Sequence, residues 1–328
     1  MGAVYTLRLL TKDHTMTNCW ILTEGLKGTE NQCLALAGAA GLAPEIKVVK
    51  LKNPWKAVTP WITHFSPKAL APGSSALNAP WPDILIASGR KAIAPALWIK
   101  RQSGGRTKLV IVQSPVIKNT HFDLVVVPQH DRYRGKKTLE ITGALSLITA
   151  EKLAAARAEW EPILSALPSP RIAVLIGGNS RTHKITPQVT HHLVMQLKSL
   201  LQDGHSLMLT ASRRTPEAIQ KQLRQALSGN LHFYDGTGPN PYQGYLAWAD
   251  TILVTEDSVS MASEAISTGK PVYIIKMAGG SPRFKRFHDN LVQQGYARWF
   301  KGVIDSWYYP PPEDLKAAAG KVIDFLKN

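Results

Sequence analysis

The sequence predicts an α/β protein made of two Rossmann-like domains whose parallel sheets face a cleft. The chain has 328 residues, which is long for one hydrophobic core and natural for two. Short apolar runs alternate with segments of helical periodicity along its length, the pattern typical of parallel sheets. A hydrophobic content of 44% indicates a folded globular protein rather than a disordered one.

The first half of the chain alternates strands with helices. Short aliphatic runs predict buried strands at residues 19–23, 45–51, 83–88, 108–113 and 124–128. Apolar residues at helical spacing predict helices that end near residue 41 and that span residues 91–100 and 151–167. This half therefore contains the material of one complete parallel sheet.

A Pro168-Ser169-Pro170 break follows, and the alternation then restarts. Strands are predicted at residues 172–176, 206–210, 231–234, 252–254 and 272–275, and helices at 187–202, up to 227, 242–249, up to 268, up to 294 and 312–326. We therefore expect an N-terminal domain over residues 1–167 and a C-terminal domain over 168–309. We expect the helix in residues 310–328 to pack back on the N-terminal domain.

Residues 251–273 contain the strongest candidate site. The strand at 252–254 leads into a helix that Asp257 or Ser258 caps and that ends at Gly269. A helix that begins at the carboxyl edge of a parallel sheet points free N–H groups and its positive dipole end at a ligand, and phosphate fits there. Ser258 and Ser260 add hydroxyl donors, and Glu264 can accept hydrogen bonds from a diol such as ribose. The alternative is an ordinary capped helix.

Two further polar segments follow strands of the same predicted sheet. They are Gly177-Gly178-Asn179-Ser180-Arg181 after its first strand and Ser212-Arg213-Arg214 after its second. Because the carboxyl ends of parallel strands lie at one edge, these segments and residues 256–264 converge there. Guanidinium groups suit phosphate because each grips two oxygens.

The N-terminal half offers two weaker candidates. A turn after the first strand contains Glu24, Gly25, Gly28, Glu30, Asn31 and Gln32. It lacks the third glycine of the dinucleotide fingerprint, so NAD binding is not expected. His130 and Asp131 follow the strand at 124–128, either at the edge of a site or in a charged turn.

The net charge of +16 implies an anionic partner. No RRM, zinc-finger or helix-turn-helix pattern is present, which disfavours specific nucleic-acid binding. Residues 47–68 mix lysines with Trp55, Trp61 and Phe65, as at a membrane interface or in an ordinary surface loop. We expect an anionic membrane surface as a partner, and the sequence identifies no protein partner.

Cys19 and Cys33 form neither a disulfide framework nor a zinc pattern, which favours a reducing compartment. The chain contains no apolar run long enough to span a bilayer and no signal-peptide stretch at its start. We therefore expect a cytoplasmic protein, peripheral on a membrane.

The segments LIGGNS and DSVSMASE resemble the donor-site segments of the N-acetylglucosaminyltransferase that forms lipid II, a GT-B glycosyltransferase. The resemblance implies that the helix N-terminus takes the nucleotide diphosphate and that Glu264 holds ribose. Glu256 and Glu264 also fit the E-x7-E spacing of many retaining members of that fold. No Asp-x-Asp is present, consistent with the metal independence common in GT-B enzymes.

A resemblance to another family covers most of the chain. Five segments are similar to the mitochondrial fission ELM family, which is named for elongated mitochondria in plants and is widespread in bacteria. They are TEGLKGTENQ, FDLVVVPQHDRYRG, TASRRTP, TEDSVSMASEAISTGKPVY and RFKRFHD. The family name describes an organelle role, whereas the candidate site resembles that of a sugar-nucleotide enzyme.

Together the resemblances imply a glycosyltransferase of hexosyl or N-acetylhexosaminyl type. Its co-substrate would be a nucleotide-diphosphate sugar, expected to be UDP-linked, with no separate cofactor and no metal, and its acceptor would be lipid-linked or part of the cell envelope. The lipid II enzyme has a histidine in its N-terminal glycine turn, where this chain offers Glu24 and Glu30 as candidate bases. Two alternatives are a sugar-nucleotide 2-epimerase, with His130, Asp131 and His288 as acid/base groups, and a non-catalytic adaptor that recruits membrane-remodelling proteins.

Overall fold

A computed structural model describes residues 17–118 and 120–327. The predicted lack of a signal peptide falls on the first residues and so lies outside the described chain. The protein divides into two compact units, which we call unit 1 (Met1–Leu147 with Glu313–Asn328) and unit 2 (Ile148–Pro312). Strands and helices are numbered along the chain.

Unit 1 contains a six-stranded parallel sheet in the order β2-β1-β3-β4-β5-β6. Its strands are β1 (Cys19–Thr23), β2 (Pro44–Val48), β3 (Ile84–Ser88), β4 (Lys108–Val112), β5 (Leu124–Pro128) and β6 (Thr138–Ile141). Its α-helices are α1 (Lys27–Ala39), α2 (Trp55–Val58), α3 (Ile93–Gln102) and α10 (Asp314–Lys327).

Successive side chains of β1 explain how this sheet is covered on both faces. Trp20 and Leu22 belong to a core cluster with α3, whereas Cys19 and Ile21 belong to a second cluster with α1 and α10. When helices cover both faces of a sheet, successive residues of a strand are all buried. The strand then appears in the sequence as a continuous apolar run. That run is the signal from which the strand was predicted.

Unit 2 repeats the plan with a six-stranded parallel sheet in the order β10-β9-β7-β11-β12-β14. Its strands are β7 (Arg171–Ile176), β9 (Ser206–Ala211), β10 (Leu231–Phe233), β11 (Thr251–Thr255), β12 (Val272–Ile275) and β14 (Ala297–Trp299), with a separate antiparallel pair, β8 (His183–Lys184) and β13 (Ala278–Gly279). Its helices are α4 (Ala150–Leu164), α5 (Pro187–Gln202), α6 (Glu217–Ala226), α7 (Tyr242–Trp248), α8 (Val259–Ile266) and α9 (Pro282–Gln293).

The boundary between the units lies at Ile148, before α4, whereas the Pro168-Ser169-Pro170 break had suggested a boundary after residue 167. The reason is packing between α4 and α7. Trp160 of α4 lies in the core of unit 2, so close to Gly244 that a Cβ there would sit 2.4 Å from Trp160 Cγ. Near the other end of the chain, α10 packs on α1 within unit 1.

The α/β class and the two parallel sheets agree with the expectation from the sequence. The sequence did not predict β6 or β14. Strand β6 is an edge strand of the unit 1 sheet, and β14 is an edge strand of the unit 2 sheet. Both are short and partly exposed, so neither forms the apolar run that marks a buried strand. Within residues 17–118 and 120–327, no helix combines the length and hydropathy needed to cross a bilayer.

Each sheet has one point where the strand order reverses. In unit 2 the chain moves outward from β7 through β9 to β10, then returns to pair β11 with the other side of β7. In unit 1 the reversal lies between β1 and β3. Loops that leave adjacent strands in opposite directions open a crevice at the carboxyl edge, where parallel α/β sheets bind ligands.

Candidate functional site

Asp257 lies at the centre of the reversal point of unit 2, immediately after β11. Its side chain is fully buried and accepts hydrogen bonds from the Gly178 N–H at 3.0 Å and the Thr255 hydroxyl at 2.7 Å. Arg214 forms an ion pair with it, with 2.8 Å between Nη2 and Oδ2. The carboxylate therefore ties together the loops that follow β7, β9 and β11.

The Gly177-Gly178 turn makes this arrangement possible because it leaves no room for side chains. A Cβ on Gly177 would lie 2.0 Å from Asp257 Oδ1, and one on Gly178 would lie 2.1 Å from the Arg214 carbonyl carbon. The two amide groups donate to Thr255 and Asp257. Gly177 and Gly178 belong to a segment that was predicted to lie at this sheet edge, and in the structure their amides are bound within the protein.

The Ser212–Thr215 loop fixes Arg214 beside this turn. The Ser212 N–H donates to the Ile176 carbonyl at 2.8 Å, and the Thr215 hydroxyl donates to the Gly177 carbonyl. The Arg214 carbonyl accepts the Asn179 N–H at 3.1 Å. The Arg214 side chain remains 45% exposed, so its guanidinium keeps donors that face solvent as well as the bond to Asp257.

Helix α8 begins at the same place. Ser258 is its N-cap, with extended backbone and with its Oγ accepting the Met261 N–H at 3.2 Å. The helix therefore begins directly after Asp257, and its first-turn amides carry the partial positive charge that every helix leaves at its N-terminus. Ser260 lies in that first turn and is partly exposed.

Glu264 lies on α8, further along the helix. One of its carboxylate oxygens accepts a hydrogen bond from the Tyr242 hydroxyl of α7. Burial raises the pKa of Glu264, and the bond from Tyr242 partly offsets that rise. The bond from Tyr242 uses only one of the two carboxylate oxygens. The other oxygen of an ionised Glu264 can therefore accept a hydrogen bond from a ligand hydroxyl.

Glu256 lies next to Asp257 but serves a different loop. Its Oε1 accepts the Met277 N–H at 2.7 Å, and its carbonyl faces His288 Nε2 at 2.8 Å. Burial lowers the pKa of His288 to about 4, so the ring is neutral at pH 7. Both residues line a cavity of about 670 Å³ together with Lys276, Ser281, Phe284 and Trp299. The E-x7-E pair therefore occupies two separate environments.

The remaining residues of the two polar segments lie outside the cluster around Asp257. Asn179 Oδ1 accepts the Ile185 N–H, and Ser180 Oγ accepts the N–H groups of Thr182 and His183, so both side chains organise the loop that leads to β8. Arg181 and Arg213 are exposed on the surface.

Unit 1 has a related arrangement at its own reversal point. Glu24, after β1, accepts the Lys91 N–H at 2.9 Å and pairs with Lys91 Nζ at 2.7 Å, which joins the loops after β1 and β3. Gly89 permits this approach, because a Cβ there would lie 2.9 Å from Glu24 Oε1. Gly25 has a positive φ of 80° and donates its N–H to Thr23 Oγ1.

The other residues of this turn lie on α1. Glu30 is 5% exposed and pairs with Lys27 Nζ at 2.6 Å. Gln32 is buried and donates to the Gly28 carbonyl at 3.1 Å, whereas Asn31 is partly exposed. Glu24 and Glu30, the two candidate bases, are thus both held in ion pairs.

His130 and Asp131 form a short turn at the carboxyl end of β5. The His130 side chain is 1% exposed and that of Asp131 is 6% exposed, with 3.4 Å between Nε2 and Oδ1. The pair is therefore a buried part of unit 1 at the same sheet edge as Glu24.

The aromatic residues within residues 47–68 do not form one exposed face. Phe65 is 4% exposed and packs against Trp98 with 5.7 Å between ring centroids, and Trp55 packs against the same core. Trp61 is 62% exposed, with Arg90 over its ring at 5.3 Å. Two of the three rings therefore stabilise the core, as in the ordinary-loop alternative.

Several residues that shape these sites were not predicted from the sequence. Thr255 and Thr215 bind the glycine turn, Tyr242 binds Glu264, and Lys91 binds Glu24. Thr255 and Thr215 directly adjoin predicted segments, so their position was a usable signal. Tyr242 and Lys91 act from other elements, and no local pattern indicates their partners.

Comparison with known proteins identifies what the chain resembles. A sequence profile described as mitochondrial fission ELM1 matches residues 27–326, which confirms the resemblance seen in the five sequence segments. The mitochondrial fission protein ELM1 of Arabidopsis thaliana is 33% identical over 271 residues, covering 74% of this chain and 63% of the plant protein. This chain therefore spans less than two thirds of that relative. The RP120 protein of Rickettsia prowazekii is 27% identical, covering 94% of this chain and 98% of its own.

Among solved structures, the UDP-GlcNAc 2-epimerase of Methanocaldococcus jannaschii superimposes with a TM-score of 0.55 at 13% identity, covering 95% of this chain and 94% of the epimerase. At that identity the likeness concerns the fold alone. It confirms the predicted GT-B-like fold.

The cluster around Asp257 predicts the effect of an isosteric substitution. In Asp257→Asn an amide replaces one acceptor oxygen, so at least one of the three donors from Gly178, Thr255 and Arg214 faces an N–H₂ group. We expect a loss of about 1–3 kcal/mol in the free energy of unfolding, measured by chemical denaturation. Asp305→Asn, which removes an exposed carboxylate 3.2 Å from Arg298, is the control and should cost less than about 0.5 kcal/mol. Equal losses in the two variants would contradict a special role for Asp257.

Proposed function

This chain belongs to the mitochondrial fission ELM1 family, and we propose that it is a GT-B-type glycosyltransferase that binds a nucleotide-diphosphate sugar in unit 2. The sugar would be a hexosyl or N-acetylhexosaminyl group and the nucleotide UDP, with a lipid-linked or envelope acceptor. The observation that carries the proposal is the fixed position of Arg214 beside the N-terminus of α8 at the reversal point of the sheet.

Arg214 and the N-terminus of α8 supply complementary interactions for a diphosphate. The guanidinium is oriented by Asp257 yet remains half exposed, so it can donate to phosphate oxygens without first being ordered. The first turn of α8 adds backbone N–H groups and a positive dipole end. As the sugar leaves, charge develops on the diphosphate, and donors already in place stabilise that charge.

Glu264 is the proposed ribose ligand. It lies on the same helix as the proposed phosphate site, and a carboxylate accepts both hydroxyls of a diol. Tyr242 supports this role because its hydroxyl bond fixes the orientation of the carboxylate. Arg213 is exposed next to Arg214 and supplies a second cation for phosphate.

We propose that the acceptor binds at the carboxyl edge of the unit 1 sheet, where Glu24, Glu30, His130 and Asp131 lie. One of these groups would remove the proton of the acceptor hydroxyl. Glu24 is the best placed of the four, because it lies at the reversal point and its side chain is 13% exposed. The chain's partners would then be a nucleotide sugar and, given a net charge of +16, an anionic membrane surface.

One assay distinguishes this proposal from its alternatives. Purified protein is incubated with a panel of UDP-, GDP- and ADP-sugars, and both the nucleotide product and the sugar are analysed. Release of UDP indicates transfer or hydrolysis, whereas inversion at sugar C2 without release indicates an epimerase. Saturable binding without either change indicates an adaptor that retains the nucleotide site.

The proposed nucleotide site predicts that UDP binds and stabilises the protein. A ligand that binds only the folded protein stabilises it by RT ln(1 + [L]/Kd), about 2.7 kcal/mol at a hundredfold excess over Kd. UDP should therefore raise the melting temperature. Glu264→Gln should weaken the UDP effect while leaving the effect of pyrophosphate unchanged, because pyrophosphate has no ribose.

Arg213→Gln and Arg214→Gln should weaken the effects of both UDP and pyrophosphate, and Arg224→Gln on α6 is a matched control outside the site. UDP and GDP binding by Glu264→Gln at the parental affinity would disprove the ribose assignment. Unchanged binding of pyrophosphate in the double Arg213/Arg214 variant would disprove the phosphate assignment.

The proposed role of Glu264 also predicts how UDP affinity depends on pH. The ionised form of Glu264 accepts hydrogen bonds from the diol, so UDP affinity is highest above the pKa of Glu264 and falls as pH decreases through it. Because burial raises that pKa above its usual 4.5, the loss should occur at a higher pH than for an exposed glutamate. Tyr242→Phe removes the hydrogen bond that lowers the pKa, so the loss should shift to still higher pH.

The control for this experiment is 2′,3′-dideoxyuridine diphosphate, which lacks the diol but titrates at the same phosphate. Calorimetric affinities of the two ligands are compared across the pH range. A pH dependence that is identical for both ligands would show that phosphate, and not Glu264, causes the change.

A further inference from the structure

A cavity of about 480 Å³ opens at the amino edge of the unit 1 sheet, near the starts of β5 and β6. It lies at the opposite end of these strands from Glu24, His130 and Asp131, so it is separate from the acceptor site proposed above. The lining residues are Lys118, Thr120, Phe122, Val125, Tyr133, Arg134, Gly135, Lys136, Lys137 and Thr138.

The floor of this cavity is apolar. Phe122 and Val125 belong to the core cluster that also contains α3, and Tyr133 packs against that cluster. Phe122 is 1% exposed and Val125 is 2% exposed, so the floor itself is closed, and the half-buried Tyr133 is the ring that the cavity offers to a ligand. A partly exposed aromatic ring beside a closed apolar floor favours a ligand with an apolar portion.

The rim of the cavity is cationic. Among the described lining residues four are basic and none is acidic. Arg134 pairs with Glu140 at 2.8 Å, and Lys137 Nζ donates to the Thr120 carbonyl at 3.2 Å. Lys118 and Lys136 are exposed and form no ion pair within the described chain. The rim therefore carries excess positive charge around apolar carbon.

We propose that this cavity is the site where unit 1 binds an anionic membrane phospholipid, with the phosphate at the lysine rim and the glycerol and first acyl carbons against the ring of Tyr133. The cavity holds far more than a phosphate ion, and its charge complements an anionic head group. This inference rests on the membrane association proposed above and not on nucleotide-sugar binding. It places the lipid contact away from residues 47–68, where Phe65 is buried and Trp55 is partly buried against the same core.

The test compares two triple variants of equal charge change in the full chain. Lys118→Gln/Lys136→Gln/Lys137→Gln neutralises the cavity rim, and Lys50→Gln/Lys52→Gln/Lys56→Gln neutralises the other lysine-rich surface. Binding is measured on phosphatidylcholine vesicles with and without phosphatidic acid. Each lysine near an anionic surface contributes about fivefold in affinity, so the rim variant should bind roughly a hundredfold more weakly. The second triple variant should keep parental binding.

A soluble ligand tests the cavity itself. Dihexanoyl phosphatidic acid, used as a monomer, should bind the parent chain more tightly than inorganic phosphate or dihexanoyl phosphatidylcholine. Thr138→Trp places an indole in the cavity on an edge strand that tolerates aromatic residues and should abolish that binding. Added salt should weaken the lipid interaction, because it shortens the Debye screening length to below about 8 Å.

Four outcomes would overturn the proposal. Loss of vesicle binding only in the Lys50/Lys52/Lys56 variant would assign the contact to residues 47–68. Vesicle binding without binding of the monomeric lipid would indicate a flat electrostatic contact rather than a cavity. Equal affinity for inorganic phosphate would indicate an anion site. Failure of the parent to bind acidic vesicles would reject membrane association, while UDP binding would remain unaffected as a separate result.

Discussion

The buried carboxylate of Asp257 is the interaction on which the geometry of unit 2 depends. It receives an amide N–H from the loop after β7, a guanidinium from the loop after β9 and a hydroxyl from the end of β11, all at about 3 Å or closer. A buried carboxylate is tolerated only when donors satisfy its oxygens. Such a set of hydrogen bonds also holds the donor groups rigidly in place. The turn between β7 and β8 therefore requires glycine, because each possible Cβ would overlap Asp257 or the Arg214 backbone.

Unit 1 has an equivalent arrangement of carboxylate, cation and glycine, built from different residues. Glu24 lies after the first strand instead of after the strand across the reversal point, and its cation is Lys91 rather than arginine. In both units a carboxylate, a cation from a neighbouring loop and a glycine without room for a side chain occupy the reversal point. An internal carboxylate neutralises part of the cation's charge, so it orders the cation while leaving less net positive charge for a ligand.

The sequence indicated the segments of the unit 2 site but not the bonds within it. Residues 177, 214, 257 and 264 were located because a glycine turn, an arginine pair and a capped helix each follow a buried strand. The glycine turn was placed at the site correctly, and in the structure its two amides donate to Thr255 and Asp257. A local pattern shows that glycine is required but not which atom requires it, since that atom comes from another strand.

The same limit explains the differences at the level of the fold. The Pro-rich break after residue 167 looked like a domain boundary because proline ends a helix. The contact of Trp160 with Gly244 instead places α4 in unit 2, and it joins residues far apart in sequence. Likewise Trp55 and Phe65 lie among lysines in sequence and pack into the core in space. Local composition predicts exposure only when no distant element covers the segment.

Binding and proton transfer have unequal support in this chain. In unit 2 an oriented, half-exposed arginine and a helix N-terminus lie together, so a diphosphate could bind with little rearrangement. In unit 1 the carboxylates of Glu24 and Glu30 are already held in ion pairs with Lys91 and Lys27. His130 and Asp131 are almost fully buried. Under the proposed function, transfer requires that the acceptor, on binding, displace Lys91 from Glu24 or expose the His130–Asp131 turn. The proposed binding of nucleotide requires no such change.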